Sequence, residues 1–318
     1  MEMPRLSSLF KRNNRTNGWV AVVTGKRGIH IVQIGHAGSR PQVGKCLFYP
    51  LSEVNASTLE KACKDAQVWQ LPVTTLLTAD EYQLLMVDAP NVPTHELKTA
   101  IRWKIKDAIN CHIDDATVDV LLIPTKKYGG ERPQSLYAVA ASNETIRKRI
   151  APFEKAKLDL NVIDIPEIAQ RNIAALYEDE GRGLALLSFG DEGGLFTITC
   201  DGELFLARRT DITLGQLQDA DDGLRQQYLD RVELEVQRSL DYFDRQFHHI
   251  PVSRLLVAAP QVLGLEGILS SALDLPVEKL DLALGMDIAR VPELSDSEFA
   301  CHALPALGAA LRQEKKAL

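Results

Sequence analysis

Between residues 183 and 209, short apolar runs alternate with glycine turns, and the spacing predicts three consecutive β-strands. Leu184–Phe189 is a continuous apolar run suited to a buried strand. Leu195–Thr199 and Glu203–Arg208 alternate on either side of Asp201-Gly202, a two-residue hairpin signal. The turn Gly190-Asp-Glu-Gly-Gly194 joins the first two strands. Backbone N–H groups with no side chain beside them can approach an anion closely, so Gly190, Gly193 and Gly194 are candidate phosphate contacts; ordinary strand punctuation is the competing reading.

The same pattern opens the chain. Trp19–Val23 and Gly28–Ile34 read as strands around the turn Gly25-Lys-Arg-Gly28, with Gly44–Tyr49 as a third, and Lys26 is placed to reach a phosphate or to be solvated. A helix over Ser57–Gln67 follows, capped by Asn55 or Ser57, then strands at Pro72–Thr78 and Leu84–Val87. Leu97, Ala100, Ile101, Ile105, Ala108 and Ile109 recur at helical spacing, predicting a helix over Thr94–Ile109 with Thr94 as N-cap and Trp103 off the apolar stripe. Strands Ala116–Ile123 and Ser135–Ala141 flank a polar segment at Lys126–Arg132. Next come a helix Asn143–Lys157 with Asn143 as cap, a strand Asn161–Ile165 and a helix Pro166–Tyr177 with proline in its first turn. After a polar linker at Asp219–Gly223, Leu229, Val232, Val236, Leu240, Phe243 and Phe247 line one side of a long helix, leaving Glu235, Gln237 and Arg238 off it. A strand Arg254–Ala259, a helix Val262–Leu273, a strand opened by Leu275-Pro-Val277 and a helical stretch Glu298–Arg312 interrupted by Pro305 complete the pattern.

Composition narrows the class. The 318 residues exceed one typical domain, and 45% hydrophobic with 25% charged residues is the balance of a soluble globular chain. No apolar run reaches the ~18 residues of a spanning helix and no signal-peptide core is visible, so a cytoplasmic protein is expected. Five scattered cysteines without a CxxC pair argue against a disulfide framework or a structural zinc site. The net charge of −7 disfavours a nucleic-acid surface. Residues 1–17 carry Arg5, Lys11, Arg12 and Arg15 with Leu6, Leu9 and Phe10 between them, a tail that either touches anionic lipid or stays solvated.

Three stretches resemble the type IV pilus assembly protein PilM family of actin-like ATPase folds: Cys200-Asp-Gly-Glu-Leu-Phe-Leu-Ala-Arg-Arg209, Glu235-Val-Gln-Arg-Ser-Leu-Asp-Tyr-Phe243 and Gly264-Leu-Glu-Gly-Ile-Leu-Ser-Ser-Ala-Leu-Asp-Leu-Pro-Val277. The Pro90–Ile109 segment with Trp103 and the opening Leu9-Phe-Lys-Arg12 are also similar to it. The resemblance implies a mixed α/β, ribonuclease-H-like two-domain fold: a tail at 1–17, a first domain at 18–165 with a small subdomain inserted at about 72–141, a second domain at 166–300, and a C-terminal helix at 301–318 returning to the first. It implies a nucleotide cleft contacted by Gly190, Gly193, Gly194, Glu235 and Arg238. Three departures degrade that cleft. The strand Val20–Gly25 lacks the family aspartate, Ser188 stands for a second one, and Ala258-Ala-Pro260 replaces a glycine-rich turn; Asp164 matches a family acid but is equally a strand-end acceptor. The resemblance therefore implies a non-enzymatic scaffold with no cofactor, or at most weak ATP and Mg²⁺ binding, at the cytoplasmic face of the inner membrane. The implied partner is a bitopic PilN- or MshJ-like pilus protein, held near Arg102, Trp103, Lys104 and Lys106, with a pilus assembly ATPase as a second partner. The degenerate first half is most similar to the branch serving the mannose-sensitive haemagglutinin (MSHA) pilus. An ATP-binding actin-like protein and a GspL-like component of type II secretion are the alternatives.

Overall fold

The computed structural model describes residues 19–312 apart from 36–37, 39, 52, 70, 125–133 and 220; the basic tail and the whole Lys126–Arg132 segment lie outside the described residues. The first half runs β1 (Val20–Gly25), β2 (Gly28–Gly35), β3 (Gln42–Pro50), α1 (Ala56–Asp65), β4 (Val73–Leu76), β5 (Gln83–Asp88), α2 (Leu97–Ile105), β6 (Ala116–Leu122), β7 (Ser135–Ser142), α3 (Asn143–Lys155), β8 (Leu160–Asp164) and α4 (Pro166–Ala174). The second runs β9 (Gly183–Gly190), β10 (Gly193–Cys200), β11 (Glu203–Thr210), α5 (Leu214–Asp219), α6 (Asp222–Phe247), β12 (Val252–Ala258), α7 (Leu265–Ala272), β13 (Val277–Lys279), α8 (Leu282–Gly285) and α9 (Ser297–Ala310).

The two halves repeat one plan. Their sheets have the orders β3-β2-β1-β4-β8 and β11-β10-β9-β12-β13, each an antiparallel meander of three strands followed by two parallel ones. Strand alternation sorts each sheet's residues onto two faces. Val20, Val22, Ile29 and Ile31 pack toward Leu59 and Cys63 of α1 and Phe153 of α3, whereas Ala21, Val32 and Ile34 join a central core with α4 and α9. In the second sheet Leu184 and Leu186 face that same central core, and Ala185, Leu187 and Phe189 belong with Leu229, Val232, Val236 and Phe243 of α6. Helices α4 and α9 thus lie together between the sheets. They meet so closely that a Cβ on Gly308 would sit 2.1 Å from the carbonyl oxygen of Ala169.

The inserted unit is a second kind of sandwich. Its sheet, β5-β7-β6, buries Leu97, Ile101 and Ile105 of α2 on one face. From the other face Tyr137, Leu84 and Met86 join the core of the second half, where the Tyr137 hydroxyl accepts the Ala207 N–H at 3.1 Å. β4, placed with the insert by the sequence boundary at about 72, instead pairs with β1 and β8 in the first sheet.

Several local expectations are corrected. Thr94 does not cap α2: a single 3₁₀ turn at Thr94–Glu96 precedes the helix with no side-chain cap bond. The helix ends at Ile105 rather than Ile109, because the Asn110 N–H goes to the Gln83 side chain at 2.6 Å. The cap of α3 is Ser142, whose hydroxyl accepts the Thr145 N–H at 3.0 Å; the side-chain Oδ1 of Asn143 instead accepts from the Thr117 hydroxyl at 2.7 Å. α9 runs through Pro305 without a break, since Leu304, Ala306 and Leu307 are all buried and packing offsets the lost N–H.

Candidate functional site

The repeated plan sets two equivalent hairpin turns opposite each other. In the first half, Lys26-Arg27 is a two-residue loop between the paired Gly25 and Gly28; in the second, Asp191-Glu192 is a two-residue loop between the paired Gly190 and Gly193. Gly28 and Gly193 have φ of +147° and +113°, and Cβ atoms there would sit 2.0 and 2.2 Å from the carbonyl oxygens of Tyr49 and Thr210, so each turn requires glycine at its exit. Between the turns lies a cavity of about 390 Å³, lined by both of them, by Pro166 and Gln170 at the start of α4, by Phe299, Cys301 and His302 of α9, and by Arg209.

Most polar groups at this cavity are engaged by neighbouring protein groups. An Arg27 guanidinium N–H donates to His302 Nε2 at 2.7 Å and lies 3.9 Å from Asp191. The Glu192 carboxylate accepts the Ala79 N–H at 3.0 Å. Thr24 accepts from Arg149 at 2.6 Å, and Arg149 also pairs with Glu81. Ser188 donates to Gln170 Oε1 at 2.5 Å, while Gln170 Nε2 donates to Leu186 O, Leu195 O and Thr197 Oγ1 at 2.9, 3.1 and 3.0 Å. The Cys301 thiol, pushed up to about 12 by burial, donates to Phe189 O at 3.2 Å. Burial, followed by His302 and Arg27, pushes His30 down to about 4, and burial likewise lowers His302; both rings are neutral at pH 7.

Asp164, the acid singled out from the sequence, is committed to protein partners. Asp164, buried at the end of β8, accepts the Ile165 N–H at 2.9 Å and pairs with Arg312 at 2.5 Å; desolvation raises its pKa and Arg312 opposes that rise. Among the described residues no group of three or more His, Cys, Asp or Glu side chains is placed to bind a metal ion. The loop after β12, where the sequence has Ala259-Pro260, is sealed by Gln218 donating to the Pro260 carbonyl at 2.9 Å.

Of the residues singled out from sequence, Gly190 and Gly193 line the cavity. Gly194 lies beneath the turn, where a Cβ would meet Phe189 and Thr210 at 2.6 Å. Glu235 and Arg238 are not brought to this cavity: on α6, Glu235 pairs with Arg231 at 3.3 Å and Arg238 is exposed. On the insert, Trp103 is 65% exposed and Lys106 is exposed. Arg102 donates to the carbonyls of Ile113 and Ala116 at 2.6 and 2.7 Å, and Lys104 to that of Asp88 at 2.7 Å, so these two side chains tie α2 to its own sheet. The sequence reading missed Arg27, Asp191, Glu192, His302 and Gln170. The opposite charges of the two glycine-bounded turns were the available signal.

No family model matches the chain, and no curated protein matches it. Among solved structures, the PilM–PilN type IV pilus biogenesis complex superposes with a TM-score of 0.73 at 19% identity, covering 92% of this chain and 97% of that one. A Bacteroides thetaiotaomicron protein of unknown function with an actin-like ATPase fold gives 0.48 at 9% identity, over 90% and 97% of the two chains. The cytoplasmic domain of EpsL, an inner-membrane component of the type II secretion system of Vibrio cholerae, gives 0.45 at 13%, over 80% and 94%. The chain has an actin-like ATPase fold of the PilM-like form. No helix among its described residues is long and apolar enough to cross a membrane.

Proposed function

We propose that this chain is a non-catalytic, MshI-like scaffold of an MSHA-type pilus assembly platform at the cytoplasmic face of the inner membrane. In this reading it captures the cytoplasmic N-terminal peptide of a PilN- or MshJ-like protein, is joined there by a pilus assembly ATPase, and gains peripheral lipid contact from Arg5, Lys11, Arg12 and Arg15. The observation that carries the proposal is the likeness, over nearly the full length of both chains, to the structure of a PilM–PilN complex. The cleft supports a scaffold over an ATPase. Thr24, Ser188 and Asp164 are bound to Arg149, Gln170 and Arg312, so these three side chains are held by protein partners rather than turned to a hydrated Mg²⁺ or a phosphate.

For the peptide, β5 and β6 are the edges of the inserted sheet, the geometry required for adding an extended strand. Trp103 and Lys106 on the neighbouring helix supply an apolar anchor and a charge; Arg102 and Lys104 act by holding α2 in place. Fluorescence anisotropy with a synthetic N-terminus of the partner should show saturable, micromolar-range binding that W103A weakens without lowering the melting temperature. Equal binding after residues 83–142 are replaced by an unrelated module sinks the assignment. Calorimetry should register no Mg-ATP binding; micromolar affinity lost on Gly190→Val would establish the ATP-binding alternative.

A further inference from the structure

The two facing turns are built alike and charged oppositely: Gly25-Lys-Arg-Gly28 against Gly190-Asp-Glu-Gly193. Each is a two-residue loop at the same place in its sheet, between the first and second strands of the meander. Two turns of equal charge at the mouth of a cleft repel and need a counter-ion between them; turns of opposite charge attract directly. Here the acidic tip reaches the first half at two points. Asp191 stands 3.9 Å from Arg27, and Glu192 accepts the Ala79 N–H at 3.0 Å. Arg27 is in turn steadied by its hydrogen bond to the neutral His302 ring on α9. Lys26, Arg27, His30 and His302 line the cavity around this contact together with the acids Asp191, Glu192, Asp296 and Glu298.

We propose that these turns form a charge clasp that holds the cleft closed by the protein's own side chains, with the carboxylates of Asp191 and Glu192 taking the place of a bound anion. The halves then keep one mutual orientation without ligand, which suits a platform that must present a fixed surface; this deepens the scaffold reading and rests on it. The clasp side chains are about half exposed, at 53% for Arg27 and 40% for Asp191, so the attraction is open to screening by salt.

The test is charge reversal followed by exchange. Spin labels at K61C and S270C, on exposed positions of α1 and α7 in a C111S chain, report the separation of the halves by pulsed electron resonance. The starting protein should give one narrow distance distribution. K26E/R27E, which sets four acids face to face, should broaden and lengthen it by several ångströms on the order of a hinge opening, as should 1 M salt at about a 3 Å screening length. Adding D191K/E192K to K26E/R27E should restore the narrow distribution, and that recovery also establishes that the variants fold. Unchanged distances after reversal, or a folded exchange variant that stays open, overturns the clasp. Peptide binding measured on the same proteins separates the two ideas: its absence in the unmodified chain defeats the scaffold reading whatever the distances show.

Discussion

His30 sits on β2 just beyond the first turn, its ring 4.6 Å from that of Phe48, and it is held neutral by burial and by His302 and Arg27 nearby. The unfolded chain protonates such a ring near pH 6.5, the folded chain only at about 4, so between those values the folded state binds fewer protons. Stability contributed by the neutral ring is therefore present above pH 6.5 and is lost as pH falls toward 4, on the order of 2 kcal/mol by pH 4.5. Urea midpoints at pH 7 and 4.5 should differ by less in His30→Phe; an unchanged pH dependence assigns the acid sensitivity to other groups, His302 first. At this scale the sequence was informative about type and silent about partner. Glycines that line the cleft and the exposed Trp103 could be picked out by pattern. That Arg27 meets His302, 275 residues away, or that Arg102 is spent on two carbonyls, depends on chain paths that no local spacing encodes.

Elements defined by strong periodicity and firm turns were legible. The hairpin at Asp201-Gly202, the long α6 and the proline-led α4 fall where alternation, a 3.6-residue stripe and proline at the first turn place them. Short helices were not: α5 and α8, of six and four residues, carry too few turns to display a stripe. Cap choice was also misread where two candidates adjoin, because the deciding contact comes from β6 rather than from α3 itself. The structure assigns the cap to Ser142, leaving Asn143 to Thr117. Ser142→Ala should cost about 1 kcal/mol of stability, more than Asn143→Ala costs, as read from chemical denaturation. The reverse ranking would return the cap to Asn143.

For the whole molecule, a buried contact among three parts of the chain matters most. Glu167 at the start of α4 is 1% exposed; it accepts from the Tyr82 hydroxyl beside the insert at 2.5 Å and from Arg209 Nε of β11 at 2.8 Å, and Arg209 also donates to Tyr82 at 2.7 Å. Insert, central helix and second sheet are thereby fixed together. Arg209→Ala leaves a buried carboxylate without its cation and should destabilise the fold by roughly 3 kcal/mol. Arg209→Ala/Glu167→Gln should recover part of that loss; no recovery would mean that packing of the arginine stem, rather than charge, sets the effect. The two-half architecture was legible because each half repeats strand and turn signals of one kind. The docking of the insert against the second half was not, since β5 and β7 present apolar residues on both faces and the pattern alone does not say which core each face joins.

The position of α9 has a consequence for biosynthesis. This helix covers the face of the first sheet that carries Ala21, Val32 and Ile34, yet it begins at Ser297, some 270 residues after those strands leave the ribosome. At translation rates of about 5–20 residues per second, that sheet waits roughly 15–55 s with an apolar face uncovered. A nascent chain halted before Ser297 therefore offers a sticky, half-built domain, and ribosome-bound chaperones should crosslink to residues 20–35 until the last helix emerges.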